Sequence, residues 1–333
     1  MSKISIVKGE NRKENIIRAI KLIEDEIEKA IKDKKSKQLF IKINAIDSNF
    51  PLACTHIDAL DAVLSIFYDR FDEIIIGDNS FVFTKNKGGP YREILNRYPN
   101  VKLSDLNEFE TKNIEFKKIN GEISIGKFSL LPSKAFTISL ALPKTHDTFV
   151  YTGCLKNMFG CVIKNRGDLH ALKLYERVFL NKYVRSNKLK WDNLVNVIKQ
   201  VKPDLCILDA YEGMEGEGPL FGTSIQVGIA MCSLDGIDLD RLASKICGLD
   251  YVPYLFQLSN RPDNPEITKE GFEKIGKITK KFKLHYNNKY QLPTSKEFLM
   301  PILDIGLMIP LLKRSYRIKD KLIEKFRSKN AIN

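Results

Sequence analysis

The chain contains the stretch FTISLALPKTH at residues 136–146. Its first seven residues are apolar or small, follow Pro132, and have the length of a strand, so they predict a strand buried in a sheet. The composition then changes at once to Pro143, a cation (Lys144), a hydroxyl (Thr145) and an imidazole (His146). A group that takes and gives protons near neutral pH therefore follows a buried strand directly.

An apolar run that is followed by polar residues occurs at three other places in the chain. Residues 39–43 predict a strand, and a loop then leads to Cys54-Thr55-His56. Residues 73–76 predict a strand that ends at Asp78, and residues 201–209 predict one that ends at Asp209. In parallel sheets, functional sites form beyond the carboxyl ends of the strands. We therefore expect His56, Asp78, His146 and Asp209 at one edge of the sheet.

Helical periodicity separates these strands. Residues 11–33 predict one long amphipathic helix, and residues 171–184 and 190–201 predict two more. Apolar residues from Ile57 to Phe67 predict a helix with Thr55 as its N-cap, which puts His56 in the first turn. Alternating strands and helices predict an α/β fold with a mostly parallel sheet and helices on both faces.

The pattern weakens near residues 250–265, where Pro253, Pro262 and Pro265 interrupt it. We expect a core domain at residues 1–255 and a basic, helical C-terminal extension at residues 256–333 that packs on the core. Within the extension, residues 316–328 predict a charged helix.

Composition limits the function classes. The chain has 333 residues, of which 43% are hydrophobic and 29% charged, as in an ordinary globular protein. It has no apolar run long enough to cross a membrane, and its first residues lack a secretory signal, so we expect a cytoplasmic protein without membrane contact. The net charge is +13, but the basic residues are dispersed and not interleaved with aromatics, which argues against nucleic-acid binding.

Three of the four histidines fall into one ordered pattern with a lysine: His56, His146, Lys156 and His170. His146 reads as a general base, a metal ligand or a histidine packed at a strand end. Lys156 lies between Gly153 and Gly160, and flanking glycines allow a cofactor to approach closely. His170 reads as a ligand or as a capping residue.

The six cysteines separate into two groups. Cys206, Cys232 and Cys247 lie in apolar stretches and predict core side chains. Cys54, Cys154 and Cys161 lie near the histidine–lysine pattern and read as ligands, as nucleophiles or as packing. No pair has the C-x-x-C spacing of a zinc ribbon or a ferredoxin-type cluster.

Residues 209–222 form an acidic glycine-rich stretch, predicted to be a loop, that contains Asp209, Glu212 and Glu215. It lacks the Gly-Lys-Ser/Thr ending of a phosphate-binding loop. Its carboxylates suit a metal, a cationic group or proton transfer, and the alternative is a flexible surface turn. Asp235 comes before a predicted helix and reads first as its cap, together with Asp238 and Asp240.

Several of these motifs, in this order, resemble the family called domain of unknown function 362. They are Asn44 with Thr55-His56, residues 143–146, Thr152-Gly153, residues 156–160, His170, Asp209, residues 213–219, Asp235 and Asp240. The resemblance covers about residues 38–255. The resemblance implies no settled activity. Many members carry a ferredoxin-like cysteine cluster, and this sequence lacks it.

A more distant resemblance concerns the order Thr-His, strand, His, Gly-x-x-Lys, His. It is similar to the lactate racemase family, which uses a nickel-pincer nucleotide. The resemblance implies that Lys156 tethers the cofactor, that His170 binds nickel, and that His56 and His146 exchange the substrate's hydroxyl proton. This chain departs from that family at two places. The lactate racemases have a second glycine at the position of Cys154, and they have a proline–glycine pair near the position of residues 158–160.

These observations lead to one principal expectation and two alternatives. We expect an enzyme that acts on a small polar substrate, such as a hydroxy acid, by proton or hydride transfer with a metal cofactor. Its catalytic residues would be His56 and His146; Lys144, Gly153, Lys156 and Asn157 would bind the cofactor, and His170, Cys154 and Cys161 the metal. The first alternative is an iron–sulfur or metal-associated redox protein that docks a redox partner, and the second is a nucleic-acid-associated protein.

Overall fold

A computed structural model describes residues 2–118, 121–164, 180–249, 251–258, 265–270 and 281–284. The chain divides into two units, residues 1–171 with 187–289 and residues 172–186 with 290–333. The fold and the site below belong to the first unit. His170, most of the helix predicted at 171–184 and the charged helix predicted at 316–328 lie outside the described residues.

The elements alternate as the sequence predicts. The described strands are β1 (Lys3–Lys8), β2 (Gln38–Ile43), β3 (Glu73–Asp78), β4 (Val101–Asp105), β5 (Thr111–Lys117), β6 (Ile123–Ser129), β7 (Phe136–Ala141), β8 (Lys144–His146), β9 (Val150–Thr152), β10 (Val162–Lys164), β11 (Leu205–Glu215), β12 (Thr223–Ser233) and β13 (Glu266–Glu270). The described α-helices are α1 (Arg12–Lys21), α2 (Glu24–Lys34), α3 (Ile57–Phe67), α4 (Phe81–Thr84), α5 (Leu131–Lys134), α6 (Cys154–Asn157), α7 (Leu180–Gln200), α8 (Gly236–Ile246) and α9 (Pro253–Leu258).

The main sheet has the strand order β13-β1-β12-β11-β7-β2-β3-β4, and β8 and β9 attach to it beside β11. Strands β4, β3, β2, β7 and β11 run parallel, whereas β12 pairs antiparallel with β11 and with β1. A smaller sheet has the order β10-β6-β5. The fold is therefore α/β with a largely parallel sheet, which confirms the predicted class.

Two hydrophobic cores lie on the two faces of the main sheet. Successive side chains of a strand point to opposite faces, so Leu39 and Ile41 join one core and Phe40 joins the other. The first core also contains α1 and α3, represented by Ile20 and Leu64. The second contains α7 and α8. Helices thus cover both faces, as expected.

The strand order reverses beside β2. From β2 the chain passes through α3 to β3 and then to β4, and it later returns on the other side of β2 as β7. The carboxyl ends of β2 and β7 therefore flank a topological switch point, where open α/β sheets bind their ligands.

Local details correct three predictions. The helix predicted at 11–33 is two helices, because Ile23 leaves the helical conformation with φ −132° and ψ 30°. The break is invisible in the hydrophobic pattern, since Ile20, Ile23 and Ile27 are all buried. The acidic loop predicted at 209–222 is a strand as far as Glu215, because β12 pairs with it along its length. The third correction, at Thr55, concerns the site.

The segment expected as a helical extension contributes a strand to the main sheet. Residues Glu266–Glu270 form β13, which pairs parallel with β1. Within the described ranges, no helix combines the length and the apolar character needed to span a membrane.

Candidate functional site

Polar residues from four elements meet at the carboxyl edge of the parallel strands. Asn44 follows β2, Asp78 ends β3, and Lys144 comes three residues after the end of β7. Asp209 follows Leu208, which lies in register with Ala141, the last residue of β7. Of the residues predicted to share this edge, Asp78 and Asp209 do so because the parallel register aligns the strand ends.

Lys42 forms a buried ion pair at this edge. Its ammonium lies 3.0 Å from Oδ1 of Asp78, and the two side chains are 1% and 5% exposed. It also donates to the carbonyl of Ile43 at 2.7 Å and to Oδ1 of Asn157 at 3.1 Å. Three acceptors satisfy the three N–H donors of an ammonium. Lys42 is therefore fully paired.

Asn157 joins the ends of β2 and β7 to α6. Its amide nitrogen donates to the carbonyl of Lys42 at 2.8 Å and to Oγ of Ser139 at 3.1 Å. Its oxygen accepts from the amide of Asn44 at 2.9 Å, and the oxygen of Asn44 accepts the backbone N–H of Leu142 at 3.2 Å. The predicted cofactor-binding residue Asn157 thus holds the switch point together.

Lys144 lies fully buried next to this network. Its ammonium donates to the carbonyl of Ala53 at 2.9 Å. Burial, with a smaller contribution from the charge of Lys42, lowers the pKa of Lys144 to about 8, and this shift is opposed by Cys54, when it is ionised, and by Asp78. A buried amine near neutrality is poised to gain or lose its proton.

His56 is the N-cap of α3, which corrects the prediction that Thr55 has this role. The ring Nδ1 of His56 accepts the backbone N–H of Asp58 at 3.1 Å. The hydroxyl of Thr55 is engaged elsewhere: it accepts the N–H of Asn44 at 2.8 Å and donates to Leu140 at 3.2 Å. The side chain of His56 is 45% exposed. Desolvation and then the charge of Arg12 lower its pKa.

Arg12, at the start of α1, links His56 to the acidic strand β11. Its guanidinium lies 3.2 Å from Asp209 and 3.2 Å from Glu212. Burial raises the pKa of Asp209 to about 6, although Arg12 acts in the opposite direction. Predicted residues Asp209 and Glu212 therefore pair with an arginine whose charge also acts on His56.

His146 and Lys156 lie on the same aromatic ring. The ring of His146 packs edge-on against Phe149 with centroids 5.0 Å apart. The ammonium of Lys156 lies 4.7 Å from the centroid of Phe149 and 5.9 Å from that of Phe159. At Nδ1, His146 accepts the backbone N–H of Thr148 at 3.1 Å.

A carboxylate also approaches Nδ1 of each histidine. Oδ1 of Asp147 lies 2.7 Å from Nδ1 of His146, and Oδ2 of Asp58 lies 3.5 Å from Nδ1 of His56. Each Nδ1 therefore has a backbone N–H, which favours an unprotonated nitrogen, and a carboxylate, which favours a protonated one.

The absence of a side chain at Gly153 leaves space for the side chains of Asp240 and Tyr151. A Cβ at this position would lie 2.3 Å from Oδ1 of Asp240 and 2.6 Å from the hydroxyl of Tyr151. Asp240 in turn accepts the backbone N–H groups of Cys154 and Leu155 at 2.9 and 2.8 Å. The close approach that was expected toward a cofactor is an approach to Asp240, which fixes the first turn of α6.

The remaining predicted residues lie elsewhere. Cys154 is buried against Cys206, Cys161 is also buried, and burial raises the pKa of Cys154. Glu215 accepts the backbone N–H of Lys283 at 2.8 Å. Asp235 caps α8 through the N–H groups of Ile237 and Asp238, as its position before a helix indicated. Among the described residues, no group of three or more His, Cys, Asp and Glu side chains is arranged to hold a metal ion.

Sequence reasoning did not single out Lys42 or Arg12. A signal for Lys42 exists: it is a single charge inside the apolar strand at residues 38–43, and a buried charge requires a partner. Arg12 has no such signal, because it begins an amphipathic helix with several exposed basic residues.

The comparison with protein families agrees with the motifs. A model of the family described as domain of unknown function (DUF362) matches residues 39–245. The chain belongs to the DUF362 family. The match begins in β2 and ends in α8, so it includes the carboxyl edge with Lys42, Asp78, Lys144 and Asp209.

One curated relative is similar over part of this DUF362 chain. It is the thylakoid-associated protein sll1697 of Synechocystis sp., which is 33% identical over 116 residues. These residues are 34% of this chain and 32% of the relative, so the match spans about a third of the relative's length.

Proposed function

We propose that this DUF362 chain is an enzyme that moves a proton or a hydride at a hydroxyl-bearing carbon of a small polar substrate. One observation supports the proposal above the others: His56 and His146 share the same arrangement at Nδ1. Each has a backbone N–H at 3.1 Å and a carboxylate nearby, Asp58 or Asp147. This arrangement gives each ring access to two tautomers.

The two tautomers have opposite roles. When Nδ1 accepts the backbone N–H, the ring proton is on Nε2, which donates to a substrate oxygen and stabilises negative charge there. When Nδ1 is protonated and faces the carboxylate, Nε2 is a base that takes the hydroxyl proton. A pair of such histidines supplies an acid and a base, as the resemblance to lactate racemases implies for His56 and His146.

The aromatic surroundings of Lys156 suit a residue that tethers a cationic cofactor ring. The faces of Phe149 and Phe159 lie against its ammonium, and aromatic faces attract cations, including a pyridinium ring. A nickel-pincer nucleotide would supply a hydride acceptor when bound. The expected metal ligand His170 lies outside the described residues, and the buried Cys154 contacts Cys206. The residues of this site then hold the substrate oxygen and transfer its proton.

The test combines activity with composition. The purified chain is incubated with the enantiomers of lactate and other small hydroxy acids, and chiral chromatography follows their interconversion. We expect turnover that falls about 10²- to 10⁴-fold in His146→Gln, which removes the proton-transfer group, and that also falls in Asp147→Asn, which removes the carboxylate that favours the base tautomer of His146. Asp72→Asn, at an exposed ion pair with Lys37, is the control and keeps full activity.

Native mass spectrometry with elemental analysis tests the cofactor separately. A covalent adduct or bound metal in the wild-type protein that is absent from Lys156→Ala supports the tether. Equal loading of both proteins excludes that role. Absence of turnover on every hydroxy acid by cofactor-loaded protein overturns the proposed activity.

The two alternatives stay predictions from the sequence. The described residues contain no cluster of ligands of the kind that a metal-associated redox protein would need. The dispersed positive charge gives no specific support to nucleic-acid binding. The expected cytoplasmic location likewise stays a prediction from the sequence.

A further inference from the structure

The switch point between β2 and β7 contains more buried positive than negative charge. Lys42 and Lys144 are cations, and Asp78 is the facing carboxylate. Near pH 7 the Cys54 thiol and the Tyr91 phenol are neutral, because burial raises their pKa values above the ordinary 9.0 and 10.0. Among the described residues, two ammonium groups therefore share one carboxylate.

The excess charge is on Lys144. Asp78 lies 3.0 Å from Lys42, whose two other N–H donors are also paired. Lys144 has one acceptor among the described residues, the carbonyl of Ala53 at 2.9 Å. An ammonium has three donors, and a buried charge without a counter-charge is costly. An anion at this point would satisfy both requirements.

Position in the fold supports the same conclusion. Ligands of open α/β sheets bind outside the carboxyl ends of the strands, at the switch point. Asn44 spans this point by accepting the N–H of Leu142, two residues before Lys144. The segment at residues 45–54 contacts the ammonium through the Ala53 carbonyl.

We propose that the switch point binds the anionic group of a small ligand, a carboxylate or a phosphate, with the ammonium of Lys144 as its anchor. The inference rests on the proposed function and specifies its substrate class, since the anion would be the acid group of the substrate. Lys144 is 2% exposed, so entry of the ligand requires movement of the surrounding chain.

Calorimetric titration of the full chain tests the anchor. The probes are L-lactate, D-gluconate and inorganic phosphate, at about pH 7 and constant ionic strength. We expect binding that is about 10- to 100-fold weaker in Lys144→Met, which keeps the apolar stem and removes a charged hydrogen bond. Lys37→Met, at an exposed ion pair with Asp72, is the control and binds like the wild type. Binding of the two acids but not of phosphate, or the reverse, identifies the ligand class.

A measurement on the wild type covers the case in which Lys144→Met does not fold. The pKa of Lys144 is lowered to about 8, so near pH 9.5 most of the free protein lacks the ammonium. Lactate should then bind about 30-fold more weakly than near pH 7, with uptake of up to one proton per lactate in buffers of different ionisation enthalpy. Lactate itself does not titrate in this range. Binding without proton uptake overturns the inference, as does absence of binding by all three probes.

The same titrations separate this inference from the proposed function. Binding that depends on Lys144 without turnover of any hydroxy acid supports the anion site and contradicts the activity. Turnover that is unchanged in Lys144→Met contradicts the anion site and leaves the activity intact.

Discussion

The carboxylate of Asp240 accepts the backbone N–H of Cys154 at 2.9 Å, and its second oxygen accepts that of Leu155 at 2.8 Å. One buried acid in α8 thus fixes the first turn of α6, which contains Lys156 and Asn157. Burial raises the pKa of Asp240 to about 7, and the two N–H groups oppose the shift.

This raised pKa predicts a pH-dependent stability. A carboxyl with a folded pKa above its ordinary 3.8 binds a proton more tightly in the folded than in the unfolded chain. Its stabilising contribution is therefore largest at low pH and is lost as the pH rises toward 7. Relative to Asp240→Asn, which does not titrate, the wild type should lose about 2 kcal/mol of unfolding free energy between about pH 5.5 and 7.5.

Urea denaturation of both proteins across this range measures the difference. Asp72→Asn, at an exposed ion pair with Lys37, is the control and should change by the same amount as the wild type. Parallel curves for the wild type and Asp240→Asn would show that Asp240 is already ionised throughout.

The buried pair of Lys42 and Asp78 predicts strong coupling. Asp78→Asn leaves the Lys42 ammonium without its counter-charge and should cost about 3–5 kcal/mol, and Lys42→Met should cost a similar amount. The double variant Lys42→Met/Asp78→Asn leaves no unpaired charge between them, so it should be more stable than the sum predicts. Denaturation of the four proteins gives the coupling energy, and simple additivity would contradict the pairing.

The sequence predicts the edge at which the site forms, but not its contacts. Asp78 and Asp209 follow apolar runs, and this local pattern suffices because parallel register aligns strand ends. The pairing of Lys42 with Asp78 and Asn157 joins residues far apart in the chain. No local pattern encodes such contacts, since packing of the sheet and α6 creates them.

Two corrections show how tertiary contacts override local preference. Thr55 is a better N-cap residue than His56 by type, yet its hydroxyl bonds Asn44 and Leu140, so His56 caps the helix. Residues 209–215 have the acidic, glycine-containing composition of a loop, yet β12 supplies a partner that makes them a strand.

Gly160 predicts a steric test of the same buried pair. A Cβ here would lie 2.3 Å from Oδ1 of Asp78 and 2.6 Å from Nζ of Lys42. Gly160→Ala should therefore separate the pair and cost about 3 kcal/mol or more. Gly121 is the matched control: its φ is +87°, but nothing lies within 4 Å of an added Cβ. Gly121→Ala should cost about 1–2 kcal/mol from backbone strain alone. Equal losses in thermal denaturation would show that crowding at Gly160 is relieved without breaking the pair.

The environment of His56 predicts its titration. Burial and the charge of Arg12 lower its pKa from the ordinary 6.5, whereas Asp58 and Glu212 raise it. Arg12→Gln removes a nearby positive charge, so the His56 pKa should rise. NMR titration of the ring carbon resonances measures it, with His56→Gln providing the assignment. Arg70→Gln, which removes an arginine paired with Glu24 and Glu28, should leave the His56 pKa unchanged.

In the wild type above the pKa, ring ¹⁵N shifts should show the proton on Nε2, since Nδ1 accepts the backbone N–H of Asp58. A proton on Nδ1 instead would mean that the Asp58 carboxylate outweighs the helix cap, and would make His56 the base of the proposed reaction.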